Sequence, residues 1–287
     1  MCRLFGMTAG SEPVQATFWL LDAPDSLAVQ SHRNVDGTGI GYFDPDGTPH
    51  VDKQPIAAFE DRQFASEARE IRSRTFVSHV RHATAGGLTT ANTHPFCQDA
   101  RLFAHNGVIG DIPALEAHLG DERALVKGET DSERYFALIT GEIGRHDGDI
   151  GAGIRAAVDW IVQNLPILSI NFVLITATEL WALRYPDFHS LFVLERPAGG
   201  GGDTTPRELQ QTSTHGTRVH SAHARDRPLV IVASERMDDD AWREIRSGEL
   251  IHVDASLGLT TERLVTGPPP HTAGRPPHTA GPPPHTV

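Results

Sequence analysis

Cysteine is scarce in this sequence, which has only two in 287 residues, Cys2 and Cys97. A chain with so few cysteines is not built on a disulfide scaffold, so each thiol serves either packing or chemistry. Long apolar runs are also missing, and no stretch reaches the roughly 18 residues that span a bilayer. The N-terminus lacks the basic and then apolar pattern of a signal peptide. These absences predict a cytoplasmic protein that does not act at a membrane.

Positive charge is in short supply as well. The chain has 25 Lys and Arg against 37 Asp and Glu, which gives a formal net charge of -12. Without an excess of basic side chains there is no surface to neutralise phosphates, so nucleic acid is excluded as a partner. The length suits one sizeable domain.

Two periodicities divide the chain into predicted strands and helices. Short alternating apolar segments predict strands at 2–8, 40–43, 75–81, 102–105, 171–176, 180–185, 190–194, 229–233 and 250–253. Apolar residues at helical spacing predict helices at 59–71, 112–119, 132–143 and 154–164, with Asp131 as the N-cap of the third. Helices grouped between many short strands favour an α+β fold in which stacked sheets lie between helices.

Two segments lack the apolar residues of a core. Residues 197–227 include four consecutive glycines and are predicted to form a flexible surface loop. Residues 267–287 contain a seven-residue repeat that begins Pro-Pro-Pro-His-Thr-Ala-Gly, and they are predicted to be a disordered tail after a domain of residues 1–266. The repeated histidines preorganise no coordination geometry, so no metal site is predicted there.

The position of Cys2 directly after Met1 is the first indication of chemistry. Removal of Met1 would leave Cys2 with a free α-amine, which titrates at about 7.7 to 8.0 and can accept the proton of its own thiol. Nucleophile and base would then belong to one residue. The alternative is that Cys2 is a small apolar residue in a buried first strand, and position alone does not separate the two.

Three further segments suit other parts of an amide hydrolysis. Arg81 ends a predicted strand and could pair with a carboxylate through two hydrogen bonds, or it could be a surface charge. Asn106 and Gly107 could form an oxyanion hole, or an ordinary tight turn. Asp131 stands at a predicted helix start and could bind a substrate ammonium group, or cap the helix.

In this order and spread, the motifs resemble the class II glutamine amidotransferase domain of the N-terminal nucleophile hydrolases. The resemblance covers roughly residues 1–265. Within the family, the motifs are similar to those of the stand-alone YafJ-like branch and, more distantly, to those of the γ-glutamyl hydrolase of ergothioneine synthesis. It implies a four-layer αββα sandwich. The motifs are Met1-Cys2, Asp36-Gly37-Thr38-Gly39-Ile40, Arg81-His82-Ala83-Thr84, Asn92-Thr93-His94-Pro95-Phe96, Ala104-His105-Asn106-Gly107, Glu129-Thr130-Asp131-Ser132-Glu133 and Val232-Ala233-Ser234-Glu235.

The same resemblance implies the activity and the site. Glutamine would be hydrolysed through a cysteine thioester to glutamate and ammonia, with no cofactor and no metal. The implied catalytic residues are Cys2, Asn106 and Gly107, and the implied substrate-binding residues are Arg81, Thr84 and Asp131. The substrate is therefore a small molecule, and a separate ammonia-accepting synthase is open as a partner. Two alternatives stay open, a γ-glutamyl amide hydrolase acting on a modified amine and a catalytically inactive binding module.

The sequence also departs from the family pattern. His82 and Ala85 replace the Trp and His of the synthase-linked members, and Thr38 replaces an aromatic residue common in stand-alone members. These changes bear on the identity of the γ-glutamyl substrate. Cys97 is expected to be a structural thiol. His94 and His105 are expected to brace their turns by hydrogen bonds without titrating in catalysis.

Overall fold

A computed structural model of the chain describes residues 2–83, 86–198 and 227–274. Strands and helices are numbered here along the chain. Among these residues one antiparallel sheet has the order β11 (Arg243–Glu244), β9 (Phe192–Arg196), β10 (Leu229–Ala233), β1 (Arg3–Thr8), β4 (Thr75–Val80), β2 (Thr38–Phe43) and β3 (Pro49–Gln54). A second antiparallel sheet has the order β13 (Leu259–Arg263), β12 (Glu249–Val253), β8 (Leu180–Arg184), β7 (Ile167–Ile175), β6 (Arg101–Ile109) and β5 (Phe96–Gln98).

The two sheets pack face to face. Successive side chains along a strand point to opposite faces of its sheet, and apolar side chains occur on both faces. Leu4 in β1 and Leu102 in β6 belong to the core between the sheets. Phe5, the next residue in β1, belongs to a separate core on the outer face of the first sheet, and Phe103 lies in the corresponding core of the second. Each sheet is therefore apolar on both faces and needs a helical layer outside it.

Helices supply both outer layers. Against the first sheet lie a short π-helix (Phe18–Asp22), α1 (Leu27–Gln30) and α2 (Arg62–Glu70). Against the second sheet lie α3 (Ile112–Leu119), α4 (Asp131–Arg145) and α5 (Ile150–Asn164). The predicted four-layer αββα sandwich is confirmed. No helix in the described part of the chain is both long and apolar enough to cross a membrane.

The start of α4 corrects one prediction. Thr130, not Asp131, is the N-cap, since its hydroxyl accepts a hydrogen bond from the backbone N–H of Glu133 at 3.3 Å. Asp131 is the first helical residue, and its carboxylate accepts the N–H of Ile109 at the end of β6 at 2.8 Å. This bond brings the helix start beside the strand that carries Asn106 and Gly107.

The predicted loop and tail fall mostly outside the described residues. Residues 199–226 of the loop and residues 275–287 of the tail are not described, so the division into a domain and a flexible tail stays a prediction. Within the described part, Thr272 forms an isolated parallel bridge with Ile167 at the start of β7.

Candidate active site

The N-terminal strand carries Cys2 into the middle of the first sheet. β1 lies between β4 and β10, and Cys2 immediately precedes it. Ser234, which follows β10, holds the strand: its hydroxyl accepts the N–H of Leu4 at 2.9 Å, and its own N–H donates to the Leu4 carbonyl at 3.0 Å. Arg3 forms an ion pair with Glu235 at 2.9 Å. The position of Cys2 is thus set by bonds of the two residues that follow it.

The Cys2 thiol lies against the backbone of His82. Its Sγ accepts the His82 N–H at 3.2 Å and can donate to the His82 carbonyl at 3.4 Å. Burial raises the pKa of the Cys2 thiol, although the His82 N–H and nearby positive charges oppose that rise. Because the thiol stays protonated at neutral pH, a base must take its proton before it can act as a nucleophile.

Asn106 lies inside a strand, so the alternative of a tight turn at Asn106-Gly107 is wrong. β6 continues past both residues to Ile109, paired with β7. The Asn106 side chain is 4% exposed, and its Nδ2 donates to the carbonyl of Cys2 at 3.0 Å. A carboxamide nitrogen carries two N–H donors, so one remains to be directed at an oxygen beside the Cys2 thiol.

Gly107 is a position where a side chain has no room. A Cβ added there would lie 1.7 Å from the carbonyl oxygen of Ser169 and 2.5 Å from Nε2 of His105. The close approach of β7 therefore requires glycine. It also leaves the backbone beside Asn106 without a side chain that would cover the site.

Arg81 follows β4 and is 3% exposed, so the alternative of a surface charge is wrong. Its guanidinium donates to the carbonyl of Gly87 at 3.1 Å, and the negative groups that act on it include Asp36 and Asp131. Asp36 also accepts the N–H of Ala83 at 2.8 Å, which fixes the backbone after Arg81. A buried guanidinium in this setting is suited to bind a small carboxylate.

Asn92 and Glu129 support the turn on which the Arg81 guanidinium rests. The Glu129 carboxylate accepts the N–H of Gly87 at 3.1 Å and the side-chain amide of Asn92 at 3.0 Å. Asn92 in turn donates to the Gly87 carbonyl at 3.1 Å and accepts the Glu129 N–H at 2.8 Å. These four bonds join three separate segments of the chain at the site.

The structure places the other predicted residues as follows. Asp131 lies at the start of α4, bound through its carboxylate to the N–H of Ile109, and it exerts a charge effect on Arg81. Thr84 lies outside the described residues. Cys97 is exposed in the edge strand β5 of the second sheet.

The two histidines of the motifs behave differently. His105 is braced as expected, with Nδ1 2.9 Å from the Ser132 hydroxyl and Nε2 3.3 Å from the Ser169 carbonyl. The prediction for His94 is wrong in its cause: both ring nitrogens are buried without a hydrogen-bond partner among the described residues, and the ring packs on His79 with centroids 4.2 Å apart. Burial lowers the pKa of both His94 and His105, so neither is charged at neutral pH.

Comparison with known families decides the identity of this arrangement. The family model described as class-II glutamine amidotransferases matches residues 1–271. The chain belongs to that family. The family is one of enzymes, so the resemblance inferred from the motifs is confirmed at this level.

Relatives of this chain differ in length. The chain is 34% identical over 269 residues to the γ-glutamyl-hercynylcysteine sulfoxide hydrolase of Mycobacterium tuberculosis, and the match covers 88% of this chain and 93% of the relative. It is 28% identical over 179 residues to the probable glutamine amidotransferase DUG3 of Saccharomyces cerevisiae, covering 53% of this chain and half of the relative. A class-II glutamine aminotransferase domain protein from Silicibacter pomeroyi has a TM-score of 0.57 at 20% identity, covering 92% and 100% of the two chains, and shares the fold.

His189 is a candidate functional residue that the sequence did not reveal. It lies between β8 and β9, is 7% exposed, and its backbone carbonyl accepts a hydrogen bond at 3.1 Å from the side-chain amide of Asn171, the cross-strand neighbour of Asn106. Burial is the main cause that lowers the pKa of His189 to about 4. A single histidine before an apolar strand gave no signal of this contact.

In the described part of the chain, no cluster of three or more metal-ligating side chains is arranged to hold a metal ion.

Proposed function

We propose that this class-II amidotransferase hydrolyses the side-chain amide of glutamine through a thioester on Cys2, once Met1 has been removed. The observation that carries the proposal is the contact between the Asn106 amide and the Cys2 carbonyl at 3.0 Å, beside a thiol that lies on the His82 N–H at 3.2 Å. The proposed nucleophile, the Cys2 thiol, and the proposed oxyanion donor, the Asn106 amide, thus lie together at Cys2. Asn106 lies in β6 and Cys2 directly precedes β1, so the two are carried by strands of facing sheets.

The first half of the reaction forms the thioester. The free α-amine of Cys2 takes the thiol proton, and Sγ attacks the δ-carbon of glutamine. The resulting oxyanion accepts hydrogen bonds from the Asn106 amide and the Gly107 N–H. The C–N bond then breaks while the protonated amine returns its proton to the leaving nitrogen, which departs as ammonia.

The second half consumes water. A water molecule, deprotonated by the same amine, attacks the γ-glutamyl thioester and releases glutamate and the thiol. Throughout, Arg81 holds the α-carboxylate of the substrate and Asp131 binds its α-ammonium group, with Thr84 as a further substrate-binding residue. A separate synthase would accept the ammonia where it is not simply released.

A second candidate keeps this machinery and changes the leaving group. The relative from Mycobacterium tuberculosis, which this chain matches over 93% of the relative's length, is named γ-glutamyl-hercynylcysteine sulfoxide hydrolase. The site contacts assigned here recognise the α-carboxylate, the α-amine and the δ-carbonyl, which glutamine shares with any γ-glutamyl amide. A γ-glutamyl amide of a modified amine is therefore the alternative substrate.

Intact-mass analysis before and after treatment with a diazo-ketone analogue of glutamine tests the proposal. We expect a chain without Met1 that gains one adduct, mapped by peptide analysis to Cys2. Cys97 supplies the matched control, since it is the more exposed thiol. Cys97→Ser should keep the adduct and the activity, and Cys2→Ala should lose both. A retained Met1 with an unmodified Cys2 would refute the proposal.

A panel of γ-glutamyl amides separates the two candidates. Glutamine is compared with γ-glutamyl amides of methylamine, of a bulky aromatic amine and of a cysteine derivative, and kcat/KM is measured for each. The amidotransferase proposal expects glutamine to be the best substrate. A substituted amide that exceeds glutamine by about tenfold or more would establish the second candidate.

A further inference from the structure

His189 is buried next to the reacting residues and has no part in the mechanism described so far. Its Nδ1 is buried and has no hydrogen-bond partner among the described residues. A buried polar atom left unpaired costs free energy, and such atoms in native proteins call for a reason. The location of the ring suggests one.

The segment that carries His189 is held firmly on the side of the second sheet. The His189 carbonyl accepts hydrogen bonds from the Asn171 amide at 3.1 Å and from the Arg184 Nε at 2.9 Å. Asn171 in β7 is the direct cross-strand neighbour of Asn106 in β6. The backbone of His189 is therefore fixed relative to the oxyanion donor.

The same segment is joined to the N-terminal strand. The Ser190 hydroxyl donates to the Ser234 carbonyl at 2.9 Å, and Ser234 binds Leu4 through both its hydroxyl and its N–H. The positive charge on Arg3, the first residue of β1, acts on the His189 ring. His189 thus lies between the oxyanion strand and the first residues of β1.

We propose that His189 is a positioning residue for the α-amine of the mature N-terminal cysteine, and that Nδ1 accepts a hydrogen bond from one N–H of this amine. The inference rests on the function proposed above. A neutral amine has one lone pair and two N–H bonds, so an acceptor that fixes one N–H directs the lone pair. Held in this way, the lone pair faces the thiol of the same residue.

The role requires the neutral tautomer with its proton on Nε2, because that tautomer leaves Nδ1 as an acceptor. Because the pKa of His189 is lowered to about 4, the ring is neutral at the pH where an α-amine acts as a base. His189 cannot supply a proton there, so its contribution is orientation.

Removing the acceptor has a predicted sign. An acceptor stabilises the protonated amine more than the neutral one, so its loss lowers the pKa of the amine. The other titratable and charged groups packed around residue 2 and His189 are Arg3 with Glu235, Arg81 and His82 with Asp36, His105, and Arg184. These groups are unchanged in the variants below, so a shift reports on His189.

The test is the pH profile of kcat/KM for glutamine and of the rate of diazo-ketone inactivation. His189→Phe should lower the plateau by roughly tenfold or more and move the acidic limb to lower pH by about half a unit to one unit. His189→Asn, whose side-chain oxygen falls near the place of Nδ1, should recover part of both. His189→Gln, whose polar end falls near Nε2, should not.

The control and the opposing outcomes are as follows. His252→Asn changes a histidine that stacks on Trp181 and pairs with Glu179, and it should leave the profile unchanged. If all three His189 variants lose activity equally with an unmoved acidic limb, the residue is structural and the inference is overturned. An unchanged His189→Phe profile overturns it too, and the Asn and Gln pair decides the matter if the Phe variant does not fold. Failure of the wild-type chain to react would instead refute the proposed function, and this inference with it.

Discussion

Loss of the Asn106 donor is the perturbation that tests the proposed mechanism most directly. The side chain is 4% exposed, and its Nδ2 reaches the Cys2 carbonyl at 3.0 Å, so the donor is both well aligned and shielded from water. Removing one donor from an oxyanion hole costs about 2.7–4 kcal/mol, or a factor of about 10²–10³ in kcat. Asn106→Ala should show a loss in this range.

Asn106→Asp sharpens the same test. It preserves the shape but puts an acceptor where the donor was, so a carboxylate would face both the Cys2 carbonyl and the developing oxyanion. Its kcat should fall further than that of Asn106→Ala. KM should change by less than about threefold in either variant, because the oxyanion exists only after attack.

The assay is steady-state release of glutamate from glutamine, with urea unfolding as a check on the fold. Asn164→Asp is the matched control, because Asn164 is exposed at the end of α5 and its amide donates to the Trp160 carbonyl of its own helix. It should behave as wild type. A folded Asn106→Ala variant that retains kcat within about tenfold of wild type would refute the role of Asn106.

Three further predictions concern the support of the site and the buried histidines. Arg81→Lys should raise KM by about tenfold or more with a smaller effect on kcat, because a single ammonium cannot form the paired bonds of a guanidinium, and initial-rate kinetics would show it. Glu129→Ala should raise KM severalfold by releasing Gly87 and Asn92, and Glu129→Gln, which keeps one accepting oxygen, should restore most of the affinity in the same assay. Burial lowers the pKa of His79 from 6.5 to about 3, so between those values the unfolded chain binds a proton that the folded chain does not. The free energy of unfolding therefore keeps its full value above pH 6.5 and decreases as the pH falls below it, by up to about 1.4 kcal/mol per pH unit. Urea unfolding between pH 7.5 and 5 should show a shallower decrease of this free energy for His79→Phe than for the wild type.

The interior strands were predictable from the sequence, and the edge strands were not. The four strands missed, β3, β5, β11 and β13, are the two outer strands of each described sheet. An edge strand is solvated along one side and needs no continuous apolar pattern, as the charged residues of Leu259–Arg263 illustrate. Interior strands such as Leu229–Ala233, buried at every residue, carry the signal in full.

Local signals failed where a side chain had competing partners. Asp131 has the chemistry of an N-cap, but Ile109 N–H occupies its carboxylate and Thr130 caps the helix instead. Asn106-Gly107 has the composition of a turn, yet the contact with Ser169 in β7 keeps both residues in an extended strand. Such competition depends on neighbours far along the chain, which a local pattern does not contain.

Substrate choice must depend on residues that the shared contacts do not involve. In the proposed mechanism Arg81 binds the α-carboxylate, Asp131 the α-amine and Asn106 the δ-carbonyl oxygen, and all γ-glutamyl amides present these groups identically. Uniform contacts cannot produce different values of kcat/KM for different leaving amines. Discrimination therefore depends on the groups that face the departing nitrogen. The backbone N–H of His82 contacts the Cys2 thiol, and its side chain stands where synthase-linked members have Trp. The His82 side chain is therefore the first position to vary.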